Sequence, residues 1–150
     1  MGKSQKTQEL YIYKRRLPHW RLSGSMYFVT WRLDQEQPEL NHLERDVIVS
    51  ILKYFDNQRY ELFAFVIMPD HVHLLVKATN GFLLHQIVHT WKSYSAYKLQ
   101  RDFSRRNRIW QDEYFDRIVR DHDELIEKAQ YILNNPFKIG RKYRTTIGCG

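Results

Sequence analysis

His71 and His73 stand one residue apart in the stretch Phe63 to Lys77, where two apolar runs flank Met68-Pro69-Asp70. Proline and aspartate give that separator turn chemistry, so the stretch reads as two adjacent strands. Side chains of a strand alternate between faces, which sends both imidazoles one way and Val72, Leu74 and Val76 the other. Two imidazoles at this spacing can grip one cation, and a site built on them needs a third ligand and a reaction. Candidates for both lie near the end of a later helical segment. With Ala129 at zero on a wheel of about 100° per residue, Leu125, Ile126, Ile132 and Leu133 fall within about 60° of it and form a buried stripe. Tyr131 falls at roughly 200° and Asn135 at roughly 240°, on the opposite side. An amide oxygen one turn from a phenol can ligate a hard cation. If that polar face lies over an open sheet face, two His, one Asn and one Tyr converge.

The chemistry such a group could do is specific. A divalent ion held by two imidazoles and an amide keeps positions open for phosphate oxygens and draws charge from a phosphodiester. A phenol is a poor nucleophile at its ordinary pKa of about 10, and a nearby cation eases its deprotonation. The outcome would be a phosphotyrosine link between protein and DNA.

The elements that must position these residues follow from periodicity. Tyr27 to Leu33 is β-rich and predicts a first strand. Leu43, Val47, Ile48, Ile51, Leu52 and Phe55 recur at helical spacing behind a capping Asn41 and predict a helix ending near Asn57. The strand pair around His71 follows, then a second helix from Leu83 to about Phe103 that buries Leu84, Ile87, Val88, Trp91 and Tyr94 or Ser95. Glu113 to Arg120 predicts a fourth strand. Asp121 or Asp123 caps a third helix that runs through Asn134 and is stopped by Pro136. This order is the α+β, ferredoxin-like split βαβ plan: a four-stranded antiparallel sheet, two helices on one face, and an appended C-terminal helix carrying the tyrosine.

Composition limits the partners. The 150 residues suit one domain, divided here into a basic and aromatic N-terminal arm (1–22), a catalytic domain (23–140) and a short tail (141–150). Hydrophobic residues at 43% exclude a disordered chain. The 24 Lys and Arg against 17 Asp and Glu leave a net charge of +7, which attracts polyanions. Aromatic faces beside that charge suit single-stranded nucleic acid. Cys149 is the sole cysteine, so no intrachain disulfide is expected and a reducing cytosol is favoured. No apolar run is long enough to span a bilayer, and no signal peptide core is present. A cytoplasmic, non-membrane protein is expected.

Several blocks together resemble a known family. His71-Val72-His73 after Met68-Pro69-Asp70, and Tyr131 followed by Asn135-Pro136, are similar to the motifs of the HUH single-strand transposases, most closely the REP-associated tyrosine transposases of bacteria within the IS200-like superfamily. Leu17-Pro18-His19-Trp20, Tyr27-Phe28-Val29-Thr30, Trp91-Lys92-Ser93-Tyr94 and Trp110 to Arg117 resemble that group's recurring blocks in the same order. The resemblance implies a nuclease that nicks single-stranded DNA near a REP-type hairpin, bonding its tyrosine to the 5′ phosphate and freeing a 3′ hydroxyl, with Mg²⁺ or Mn²⁺ as the metal. By motif position Tyr131 is the nucleophile and His71, His73 and Asn135 are the ligands. Under that implication the arm, with Lys14, Arg15, Arg16, His19, Trp20 and Arg21, and the loop with Arg105 and Arg106, are the candidate DNA contacts. Relatives include dimers that share active sites and monomers; a monomer is favoured here. Where relatives continue into a longer tail with a Trp-Pro-Trp-like stretch, Arg141 to Gly150 stops short, a departure that bears on guide recognition.

Plainer readings compete. His-x-His alone is a weak signal, and Asn134-Asn135 before Pro136 also reads as a helix end. Arg105-Arg106 also reads as a solvated loop, and the arm as a solvated leader. His85 and His89 have ligand spacing but no tyrosine in phase, and read as helix-surface histidines. Tyr94 and Tyr97 are rival nucleophiles placed on the wrong helix. The rival functions are a domesticated hairpin-binding protein without cleavage, and an RNA-binding ferredoxin-like module. The latter lacks the expected glycine in the strand holding Phe63 and Phe65.

Overall fold

The computed structural model describes residues 25–138 and 146–147, with side chains of the last helix as far as Asn134. In chain order the elements are β1 (Met26–Leu33), α1 (His42–Tyr54), β2 (Tyr60–Ile67), β3 (His71–Ala78), α2 (Leu84–Phe103), β4 (Trp110–Val119), α3 (His122–Lys138) and β5 (Thr146–Ile147). All strand pairings are antiparallel, in the order β4-β1-β3-β2-β5. The first four strands form the expected ferredoxin-like sheet. The fifth is an addition: Ile147 and Thr146 pair with Val66 and Ile67 along the outer edge of β2. Two residues are too short to leave a period-2 signature in sequence, and an open strand edge is a template that such a segment can cover.

Local chemistry explains the helices. Asn41 and Glu44 form a reciprocal capping box: the Glu44 N–H donates to Asn41 Oδ1 (2.8 Å) and the Asn41 N–H to Glu44 Oε1 (2.9 Å). Asp121 Oδ1 accepts from the Glu124 N–H at the start of α3 (2.9 Å). The sequence predicts an end to α3 at Asn134, but the helix continues through Asn135 and Pro136 to Lys138. Proline removes one N–H and thus one hydrogen bond to Ile132, which costs stability and straightness without forbidding the preceding turn's packing. Ile132 is fully buried and holds that turn down.

Apolar residues divide between the two faces. Val29, Trp31, Val72, Leu74 and Val76 face α1 and α2, where Ile48, Leu52, Ile87, Val88 and Trp91 meet them. Met26, Phe28, Ala64, Val66 and Leu75 face the other way and are covered by Leu125, Ala129 and Ile132 of α3. The crossover helices therefore occupy one face and the tyrosine helix the other. Tyr94 stays exposed, and Ser95 takes the buried position, accepting from Trp110 Nε1 (2.8 Å).

Arg105 belongs to this framework. Its side chain is 7% exposed and that of Glu44 is 3% exposed, with Nη2 2.8 Å from Oε1. The same guanidinium donates to the carbonyls of Pro38 (2.8 Å) and Glu39 (2.9 Å). Burial works to raise the Glu44 pKa, but the hydrogen bonds from Arg105 and the Asn41 N–H, with the charges of Arg105 and Arg45, leave it lowered. Arg105→Ala is expected to destabilise the fold by roughly 3 kcal/mol at pH 7, because it strands a buried carboxylate. A carboxyl with a depressed folded pKa stabilises only above that pKa. The gap between Arg105→Ala and wild type in urea melts should therefore shrink as pH falls below about 4.5.

Candidate active site on the open sheet face

The turn between β2 and β3 fixes the first histidine. The Met68 N–H donates to the His71 carbonyl (2.8 Å), closing the hairpin, while the Leu40 and Leu33 N–H groups donate to the Pro69 and Asp70 carbonyls (2.8 Å each). The turn is thus pinned from β1 and from the segment that leads into α1. His71 then sits opposite Arg32, and His73 opposite Thr30, in the β1–β3 register. Directly opposed residues share a face, so Phe28, Thr30 and Arg32 line the same surface as the two imidazoles.

Each ring is held by its Nδ1. Thr30 Oγ1 lies 2.7 Å from His73 Nδ1, and Asp70 Oδ1 lies 2.7 Å from His71 Nδ1. Nε2 is therefore the nitrogen that either ring would offer a cation, and a fixed Nδ1 partner is what orients histidine ligands. The ring centroids are 4.6 Å apart, nearly perpendicular. Burial lowers the His71 pKa; the Asp70 carboxylate opposes this, and the Arg32 charge adds to it. The net lowering favours the neutral imidazole, the form that binds metal. Phe28 stacks on His73 at 5.5 Å and sets the plane of that ring.

Tyr131 comes down onto this group from α3. Its ring centroid is 5.3 Å from that of His73 and 5.9 Å from that of Phe28, edge-on to both, and the residue is 38% exposed. The ring borders solvent and His73 instead of entering the apolar stripe. Asn135 has its backbone in α3, one turn on, and its side chain lies outside the described residues. Among the described residues no three His, Cys, Asp or Glu side chains could hold a metal. An asparagine amide is a further kind of group able to ligate a hard cation.

The remaining candidates divide. Lys14, Arg15, Arg16, His19, Trp20 and Arg21 lie outside the described residues. Arg105 is withdrawn from the DNA contacts, since its guanidinium is buried against Glu44 and the single segment formed by Gln37, Pro38 and Glu39. Arg106 is exposed, and its carbonyl accepts from Gln37 Nε2 (2.6 Å). His85 and His89 are exposed on α2, on the far side of the sheet. Tyr94 and Tyr97 stack on each other there at 6.2 Å. Sequence reasoning missed Arg32 and Lys128. Arg32 is exposed and close enough to act on His71, and Lys128 Nζ lies 5.3 Å from the Phe28 ring, one turn before Tyr131. The alternation Phe28, Thr30, Arg32 carried the signal for the first, but only register shows which face it shares.

Residues 22–135 match the family described as Transposase IS200 like. A protein of Haemophilus influenzae named as a REP-associated tyrosine transposase is 26% identical over 128 residues, covering 78% of this chain and 73% of the relative. A solved structure of a REP-associated tyrosine transposase bound to a REP hairpin superposes with a TM-score of 0.66 at 20% identity, covering 83% of this chain and 74% of that one. A crystal structure of a protein named as a transposase from Deinococcus radiodurans R1 gives 0.57 at 25% identity, covering 79% and 96%.

Proposed function

The chain belongs to the IS200-like transposase family, and on that premise we propose that it nicks single-stranded DNA beside a REP-type hairpin through Tyr131. The observation that carries this reading is the edge-on packing of Tyr131 against His73 and of His73 against His71, with ring centroids 5.3 and 4.6 Å apart, on one face of the sheet. The hairpin partner is supported by the relative from Haemophilus influenzae and by the hairpin-bound structure that shares this fold. The site is read as assembled from one chain, within a monomer. No described helix is long and apolar enough to cross a membrane.

The residues divide the work. Thr30 and Asp70 hold the imidazoles by Nδ1, so that His71 and His73, with Asn135, would hold Mg²⁺ or Mn²⁺. When bound, that ion supplies Lewis-acid stabilisation of charge on the phosphate oxygens. Tyr131 Oη attacks phosphorus; its proton passes to solvent, the new O–P bond forms, and the bond from phosphorus to the 3′ oxygen breaks. The departing 3′ oxygen takes a proton from water. A 5′-phosphotyrosine and a free 3′ hydroxyl result, and the energy of the phosphodiester is kept for strand transfer.

The direct test is incubation with single-stranded hairpin oligonucleotides from the host genome plus Mn²⁺. A product that survives a denaturing gel is expected; hairpin binding with no such product would favour a domesticated binding protein instead. Thr30→Val should raise the Mn²⁺ concentration needed for half-maximal adduct by roughly 10- to 100-fold, since it frees the His73 ring to turn. An unchanged metal titration would remove Thr30 from the site.

A further inference from the structure

On β4 the residue directly opposite Thr30 is Phe115, so the ring stands on the same face as His73, two strands away at about 10 Å. It is 60% exposed, the most open Phe side chain among the described residues. Helix α3 covers the Met26 and Phe28 level of this face, where Val119 is buried, and the cover does not reach Phe115. Between Phe115 and His73 lies the buried Thr30 of β1, and the next residue of β1 on this face is Arg32, opposite His71. Arg32 is exposed and makes no ion pair with any described residue. Arg117, the next residue of β4 on this face, is instead tied to Glu124 (2.7 Å).

We propose that Phe115 is a stacking platform for an unpaired base of the single strand near the bond to be cut, with Arg32 holding the phosphate between that base and the histidines. The inference rests on the single-strand reading above and adds a base-binding subsite to it. The ring belongs to neither apolar core and is mostly open, so its removal leaves no enclosed cavity. A base has a π-face of matching size, and stacking tolerates any base while favouring purines for their area. The separation from His73 fits a nucleotide adjoining, or one removed from, a phosphate held at the imidazoles. Arg32 supplies the charge that a sugar–phosphate chain needs on the way.

Hairpin oligonucleotides carrying 2-aminopurine at single positions of the unpaired flank test this, read at saturating protein. Wild type should quench the probe at one flank position. Phe115→Ala should lose that quench and weaken binding by roughly 5- to 100-fold, and Phe115→Trp should restore both. Quenching unchanged in Phe115→Ala overturns the inference. So does Phe115→Ala turning a dimer into a monomer with quenching intact, which would make the ring a subunit contact. Adduct formation by wild type, measured in parallel, reports on the nicking reaction separately: adduct without Phe115-dependent quenching sinks the platform alone, whereas quenching without adduct sinks the chemistry.

Discussion

Tyr131→Phe is expected to abolish the covalent protein–DNA product while leaving hairpin affinity within a few-fold of wild type. Removing one oxygen takes away the only atom of that side chain able to bond phosphorus. The ring that packs against His73 and Phe28 stays, so the edge-on contacts at 5.3 and 5.9 Å survive. Because the residue is 38% exposed, its hydroxyl contributes little to the fold beyond about 1 kcal/mol. A loss of several orders of magnitude in adduct with an unchanged melt is the signature of a nucleophile. A Phe variant that still forms the adduct would move the chemistry to another side chain.

The second large effect is expected from the histidines. His71→Ala combined with His73→Ala should eliminate Mn²⁺-dependent nicking, since it removes two of three proposed ligands and no carboxylate cluster among the described residues could replace them. Stability should respond unequally in the single variants. His73 is 5% exposed and bridges Thr30 and Phe28, so its truncation opens a gap in the sheet face. His71 is only partly covered, at the turn, and its loss should cost less. His71→Ala is therefore the cleaner probe: a fold melting near wild type with no metal-dependent cleavage supports ligation. Cleavage at an unchanged Mn²⁺ optimum would remove His71 from the chemistry.

Much of this arrangement is legible in the chain because two periodicities are clean. The alternation around His71 and His73 fixes their common face, and the stripe Leu125, Ala129, Ile132 fixes which side of α3 is buried. Together they require Tyr131 to point away from the apolar stripe, and the structure sets it beside His73. What escapes sequence reading depends on partners far along the chain. Arg105 looks like one more residue of a basic loop until Glu44, at separation 61, is seen beneath it. Arg32 and Phe115 are invisible as site residues until the β1–β3 and β1–β4 registers are known. The helix end fails for a different reason: a proline rule is local, whereas burial of Ile132 and its neighbours holds the last turns in place.

The most direct measurement is to digest the denatured protein–DNA product and locate the nucleotide by mass spectrometry. The added phosphonucleotide mass is expected on the peptide carrying Tyr131 and on no other. The same mass on the peptide with Tyr94 or Tyr97, on the far face of the sheet, would contradict nicking through Tyr131.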